Sequence, residues 1–507
     1  RTLTCLDDIH PERHINAENY LKSAAQMREM LGHFPGAIEN TLAIAERCEP
    51  GLDLKRRLFP RYSPPPGESA ASLLYSLTME GAAARYGEIT TAVSNRLEHE
   101  LNIITTLGFE DYFLAVYDIA AWARERRIRY AGRGSAADSA VAYCLWLTNV
   151  DSIARGLLFE RFMSLERAQR PDIDIDFQSD RRDEVADYVY ERYGAGCVAS
   201  VCTFSTFQAR SAVRDVGKAL GIPEHEVDRL AKVLPHVPAD GVRAAFSRYP
   251  ELRNSGIHPH RFELLIDICA ELAGLPRHVG THLGGMVISG ESLTCATPLQ
   301  MSAKGVPITQ FDKDSIEDLG LIKLDLLSLR TLCAVEYAGE LIKEPSFSYD
   351  AIPHGDEGTY SMLRSGQTIG VFQLESPAQR ALQSRLEADS FEDIVASVAL
   401  IRPGPIQGNM VEPFVARRLK QEEVSYVDPR LEPILSKTYG VVLYQEQVIQ
   451  IATVVAGFTP GESDRLRKVM THYRSVAEME SIGHDFVAKA MAHGTDRQTA
   501  ETIFSYI

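Results

Sequence analysis

The stretch that decides the fold is Pro171-Asp-Ile-Asp-Ile-Asp-Phe177. In an extended strand, successive side chains point to opposite faces. Asp172, Asp174 and Asp176 therefore share one face, while Ile173, Ile175 and Phe177 share the other, which reads as a core face. Three carboxylates on one strand face repel one another unless a cation sits among them. Hard cations such as Mg²⁺ take oxygen ligands and keep substrate phosphates as the rest of their shell. The stretch fits a Mg²⁺ platform; taken alone, a half-exposed acidic edge strand fits it equally.

Upstream, Ala131-Gly-Arg-Gly-Ser135 follows a short strand from Ile128 and leads into an Ala-rich stretch predicted as a helix from Ala136 to Leu147. Glycines let a backbone approach a ligand closely, and a helix start offers N–H groups and a favourable dipole to phosphate. Ser135 is placed to cap that helix or to bond a phosphate oxygen, and a plain strand-to-helix turn fits as well. Downstream, Lys323-Leu-Asp325 interrupts an apolar strand predicted over Leu321 to Leu327. A carboxylate among leucines is costly to bury without a partner. Asp325 is read either as an ion-pair partner of Lys323 on the same face or as a third acid beside Asp172 and Asp174. A Gly-Ser turn, an alternating acidic strand and a distant acid follow the order expected of a nucleotidyltransferase.

Around this centre the chain reads as mainly helical. Helices are predicted within 1–50, ending in Ala37 to Cys48, and the Pro-rich stretch from Phe59 to Gly67 reads as a stiff linker. From Glu68 to Arg127 the spacing of Leu97, Leu101, Ile104 and Leu107 predicts a one-faced helix. A helix over Arg182 to Tyr193, a helical module over about 204–280, a strand at Gly285 to Ser289 and helices from Arg330 onward complete the reading, with a break at Arg402-Pro-Gly-Pro405. The 507 residues suggest about three or four domains. A first residue other than Met and a helix-like end suggest that the natural chain continues.

Charge and chemistry outside the centre give weaker signals. With 53 basic and 69 acidic residues the net charge is −16, so any nucleic-acid site must be a local basic surface. Three clusters qualify: Arg210, Arg214 and Lys218 on one helix face; Arg417, Arg418 and Lys420; and Arg465, Arg467, Lys468 and Arg474. Such stripes grip phosphates, or simply solvate a helix. Tyr444 and Phe458 are read as base-stacking or core aromatics. His278 and His282 lack the glutamate of a zinc helix and are read as structural residues at a turn. The eight cysteines, without a CxxC pair, are expected to be mostly buried, reduced thiols of a cytosolic protein. Neither a membrane span nor a secretory leader is expected.

At these residues the chain closely resembles the bacterial C-family DNA polymerases: the alpha subunit of DNA polymerase III and its error-prone relatives. The resemblance rests on Gly132-Arg-Gly-Ser-Ala-Ala137, Leu157-Leu-Phe-Glu-Arg-Phe162 and Pro171–Phe177, and continues with Gly280-Thr-His-Leu-Gly-Gly285, Val371-Phe-Gln-Leu-Glu-Ser376, Arg402–Pro405 and Tyr444-Gln-Glu-Gln447. It implies a multidomain α/β fold: the end of a PHP domain at 1–55, a polymerase beta-like palm at 56–203 and 282–330, a helical thumb at 204–281 and helical fingers at 331–507. It carries two Mg²⁺ ions onto Asp172, Asp174 and Asp325, with Asp176 secondary. Gly134, Ser135, Arg161 and Lys323 become nucleotide-binding residues, and, from their charge, Arg210, Arg214, Lys218, Arg402, Arg465, Arg467 and Lys468 are expected to hold DNA. Template-directed synthesis from deoxynucleoside triphosphates on primer-template DNA is then expected, in the cytoplasm, with a sliding clamp and other replication proteins engaged through regions outside this chain. Asp138 departs from the small neutral residue expected there; it either weakens nucleotide binding or faces solvent. Pro276-Arg-His-Val279 and Gln310-Phe-Asp-Lys313 resemble the error-prone branch more than the main replicase. A template-independent nucleotidyltransferase and a non-catalytic DNA-binding scaffold are the rival readings.

Overall fold

The computed structural model describes residues 4–48, 54, 57–165, 170–344, 347, 349–401, 410–471 and 476–507. Among the described residues seven strands are formed: β1 (Tyr130–Arg133), β2 (Asp174–Gln178), β3 (Val198–Thr206), β4 (Pro276–Ile288), β5 (Leu299–Met301), β6 (Pro307–Asp312) and β7 (Lys323–Leu329). The chain divides into two compact units, Arg1–Phe59 with Tyr193–Lys323, and Pro60–Arg192 with Leu324–Ile507.

In the unit that begins at Pro60, β1 lies antiparallel to β2, and β2 lies parallel to β7. The alternation read from the sequence is present: Ile173 and Ile175 are 1% exposed and Phe177 is fully buried, while Asp174 and Asp176 are half-buried. Helices Ala70–Tyr86, Thr91–Leu107 and Glu110–Glu125 precede these strands. The second is capped by the Thr90 side chain and ends on Gly108 in the left-handed conformation, and its predicted face of Leu97, Leu101, Ile104 and Leu107 is buried. Helix Arg182–Tyr193 has the predicted bounds. From Arg330 the unit is helical, and Phe458 packs in the core there with Phe486, so it is a core aromatic rather than a base-stacking one.

Two readings change here. The helix expected from Ala136 to Leu147 is a 3-10 turn, Gly134–Asp138, followed by a five-residue helix, Ala140–Cys144. Ser139, in an extended conformation, breaks the run and caps the short helix through its hydroxyl. The predicted strand at Leu321 begins two residues later, at Lys323.

In the other unit the order is β4-β3-β6-β5, with β3 antiparallel to β4 and parallel to β6. Ala199, Val201, Val287 and Leu321 form its sheet core with Leu58. A helical excursion from Ala209 to Glu271 has a separate core that includes Val213, Leu230, Phe246 and Ile266. The helical reading is too broad at both ends of this excursion. Thr203–Thr206 extends β3 and Pro276–Gly280 opens β4, forming a largely exposed antiparallel ribbon that shows no one-sided apolar pattern. His278 and His282 therefore lie in a strand, not at a turn; His282 Nδ1 accepts the Gly285 N–H at 2.7 Å. Strands β3, β5 and β6 are additions to the sequence reading. Residues 4–23 are turns and irregular segments, so the described part of the first fifty residues holds the helices Ala24–Leu31 and Ala37–Arg47. All eight cysteines are free, but only Cys144, Cys202 and Cys269 are buried, because the others fall on loops and helix faces rather than in the apolar runs.

Candidate active site

Parallel pairing of β2 with β7 sets Asp174 directly opposite Asp325. Asp172 lies two residues before Asp174, on an extended segment anchored where the Ile173 N–H donates to the buried Tyr112 hydroxyl at 3.1 Å. One carboxylate oxygen from each of Asp172, Asp174 and Asp325 lies within 4.8 Å of the others. Among the described residues this is the single group of acids, histidines or cysteines with metal-binding geometry. Its donors are three hard oxygens, exposed at Asp172 and half-buried at the other two, a set that fits a divalent cation. Burial, with the Asp172 charge next, raises the Tyr112 hydroxyl pKa well above its ordinary value, so this phenol stays neutral beneath the acids. Asp176 stands apart, paired with Arg133 at 3.2 Å.

The glycine turn lies against this cluster. Gly134 has φ of +67°, and a Cβ there would sit 3.6 Å from Asp174 Oδ2. A Cβ on Gly132 would strike the Leu147 carbonyl oxygen at 2.1 Å, so that position is closed to any side chain. The Ser135 hydroxyl donates to the Asp172 carbonyl oxygen at 3.3 Å, tying turn to acid segment. The amides that open the short helix Ala140–Cys144 are already used. The Ala140 and Val141 amides and the Ser139 hydroxyl donate to Glu100, a fully buried carboxylate that also takes Arg96 Nε at 2.5 Å. Burial raises the Glu100 pKa, against the pull of Arg96 and those amides. Arg96 further donates to the carbonyls of Asp138 and Leu157, joining the glycine turn to the segment that carries Arg161.

Arg161 ends a 3-10 turn, Phe159–Arg161, and its guanidinium engages Glu446 and, at 3.6 Å, Asp138. Asp138 does not face solvent: it is 1% exposed. Burial pushes its carboxyl up to about 7, with Arg161 opposing and Glu446 reinforcing. Lys323 opens β7 two residues before Asp325 and is half-buried.

The basic clusters are more engaged than a charge count suggests. Arg210 donates to the Leu234 carbonyl at 2.8 Å, Arg214 pairs with Asp228 at 3.2 Å, and Lys218 is exposed on the same helix, Ala209–Ala219. Arg465 pairs with Glu478 at 3.5 Å, and Arg467 donates to Gln445 at 3.4 Å. Arg417 pairs with Glu422, and Arg418 is fastened to Asp389 and Asp393. Arg402, Arg474 and the Pro403–Pro405 break lie outside the described residues, as does the side chain of Lys468. Sequence reading missed Glu100, Tyr112, Arg133 and Glu446. Glu100 carried a local signal, as an acid three residues after Leu97 on an otherwise apolar helix face, and Arg133 and Glu446 stood inside the quoted motifs without a role being read for them.

Strands, glycine turn and acids together define a mixed α/β protein with a carboxylate cluster suited to divalent cations. The chain belongs to the bacterial DNA polymerase III alpha family. Residues 72–328 match the family described as the bacterial DNA polymerase III alpha NTPase domain, and residues 331–494 match the finger domain of the same subunit. It is 63% identical to an error-prone DNA polymerase of Symbiobacterium thermophilum, across 100% of this chain and 47% of the relative. It is 38% identical to an error-prone DNA polymerase of Rhodopirellula baltica, across 99% of this chain and 44% of that one. It is 40% identical to a DNA polymerase III subunit alpha of Halalkalibacterium halodurans, across 95% and 43%. The chain thus spans about half the length of the curated relatives it matches. Among the described residues, no helix is long and apolar enough to cross a membrane.

Proposed function

We propose that this chain carries the catalytic centre of a template-directed DNA polymerase. The observation that carries the reading is the register of β2 against β7, which faces Asp174 with Asp325 beside Asp172. These three acids are the ligands for two Mg²⁺ ions. When bound, the ions supply activation of a primer 3′-hydroxyl and neutralisation of the leaving pyrophosphate. The chain's own residues then position and screen. Gly134 and Ser135 hold the turn against the acid segment and cradle phosphates. Arg161 and Lys323 offset triphosphate charge. Arg210, Arg214, Lys218, Arg402, Arg465, Arg467 and Lys468 grip the duplex backbone.

In this reading 56–203 with 282–330 is the palm, 204–281 the thumb, 331–507 the fingers and 1–55 the end of a PHP domain. Primer-template DNA and deoxynucleoside triphosphates are the substrates, and a sliding clamp is engaged from outside this chain, in the cytoplasm. The error-prone branch is favoured over the main replicase by the 63% identity to an error-prone polymerase against 40% to an alpha subunit.

Primer extension tests the reading. Incorporation that follows the template base, and that is lost in Asp172→Asn and Asp325→Asn, supports it. Addition indifferent to the template would mean an untemplated transferase, and extension unchanged by both substitutions would mean the acids are not the centre. Error counting on a damaged template separates error-prone enzyme from replicase.

A further inference from the structure

Arg124-Glu-Arg-Arg-Ile-Arg129 places four arginines within six residues just before the edge strand β1. Three of them, Arg124, Arg127 and Arg129, line an open cleft of about 630 Å³ between β1 and the helix Arg330–Ile342. Aromatic rings complete the wall. The Arg129 guanidinium lies 4.0 Å from the Tyr349 ring centre and pairs with Glu336 at 2.8 Å, and Arg124 lies 5.5 Å from the ring of Trp146. Phe347 packs edge-on to Tyr349. The helix side contributes Glu340 and Glu344.

This cleft is not the acidic site. On β1, Tyr130 and Gly132 pair with Phe177 and Ile175, whereas Arg133 pairs with Asp174. None of Asp172, Asp174 and Asp325 lines it, and of the β1 residues that do, Tyr130 and Gly132 face away from the acids while Ala131 alone shares their face. Backbone strain also converges here. Arg127 and Trp146, at φ of 55° and 64°, line the cleft, and Lys343, at 53°, adjoins Glu344. Non-glycine residues held in the left-handed region persist where surrounding structure enforces them, often at ligand sites.

We propose that this cleft seats one nucleotide of a single-stranded nucleic acid, apart from the acidic cluster. Aromatic and guanidinium planes stack on any base. Exposed Arg124 and Arg127 meet the flanking phosphates. The carboxylate of Glu340 accepts from an exocyclic amino group such as that of cytosine.

The chain carries its own reporter. It has two tryptophans, and one of them lines the cleft. Trp122, stacked on Tyr188 at 4.6 Å and covered by Arg126, is removed by Trp122→Phe, leaving Trp146 as the sole indole emitter. Adding a twelve-residue oligodeoxycytidine to that variant, without metal, is expected to quench Trp146 saturably. Introducing Arg124→Ala and Arg127→Gly, the latter compatible with the left-handed backbone, should weaken binding at least tenfold. Because two cations that meet phosphates are then gone, the slope of log affinity against log salt should become shallower by about 1.4. Circular dichroism melts should show both variants folded. Three results overturn the proposal: no saturable quench, a quench that survives the double substitution, or deoxycytidine monophosphate acting at the same concentration as the oligomer, which would mark a free-nucleotide site. Asp172→Asn and Asp325→Asn should leave the quench intact, so the cleft stands or falls separately from the polymerase reading.

Discussion

Asp393 and Asp325 are both carboxylates of the unit that begins at Pro60, and their surroundings treat charge in opposite ways. Asp393 lies on the helix Phe391–Leu400 and is nearly buried. Burial opposes its ionisation, but two hydrogen bonds from Arg418 at 2.7 Å, the Asp389 N–H and the Ser390 hydroxyl outweigh it and lower its carboxyl to about 2. Its cation is internal, so the charge is settled when the chain folds. Asp325 instead faces Asp174 across a strand pair with Asp172 close by, and the cluster gathers like charges within 4.8 Å. An internal cation makes a carboxylate part of the scaffold; carboxylates gathered within ligand distance of one another form a set that a divalent cation can bridge.

Asp325→Asn should separate the two cases most sharply. Loss of a ligand is expected to reduce primer extension about a thousandfold, roughly 4 kcal/mol of barrier. The melting temperature should hold or rise, because a like charge has been removed. A large fall in melting temperature would show Asp325 to be scaffold, like Asp393. Asp393→Asn should do the reverse. It leaves the Arg418 side chain, 10% exposed, without its main counter-charge, and urea unfolding should register a loss of about 3 kcal/mol while folded molecules keep their activity. Because the folded carboxyl lies below its ordinary 3.8, its contribution is present above that pH and lost as pH falls from about 4 towards 2.

Asp138 comes next in size and has the opposite sign. Its carboxyl is raised from 3.8 to about 7, so the folded state holds a proton that the unfolded chain has released. Stability should therefore decline as pH rises from about 4 to about 7 and level off above. Asp138→Asn should remove that slope and raise stability at pH 8 by on the order of 2 kcal/mol, measured by denaturant titration at several pH values.

How far the sequence reveals such contrasts depends on the range of the interaction. The period of two around Ile173 and Ile175 is local, so the shared face of Asp172 and Asp174 was legible. The approach of Asp325 depends on register between strands about 150 residues apart in the chain, which no local pattern encodes; the residues left it open between an ion pair with Lys323 and a third acid, and resemblance to a family favoured the acid. Glu100 was legible in principle, as an acid on the stripe of Leu97, Leu101 and Ile104, and reading that stripe as continuous hid it. The ribbon of Thr203–Thr206 with Pro276–Gly280 was not legible, since a strand pair exposed on both sides has no alternation to show. Charge runs named arginines but not their partners: Asp228 sits on the neighbouring helix, Glu224–Val233.

That last pair gives the smallest expected effect and the finest test of the contrast. Arg214 and Asp228 are 46% and 43% exposed, so their ion pair is screened by water and worth at most about 0.5 kcal/mol. Asp228→Ala should accordingly leave unfolding nearly unchanged. If the stripe of Arg210, Arg214 and Lys218 grips duplex phosphates, the same substitution should tighten DNA binding a few-fold, because Arg214 no longer exchanges a carboxylate for a phosphate. One further phosphate neutralised steepens the dependence of log affinity on log salt by about 0.9. Fluorescence anisotropy across a salt series reads both quantities. Unchanged affinity and slope would assign the stripe to the solvated surface of its helix, and the internal counter-charge of Arg214 would then be as final as that of Arg418.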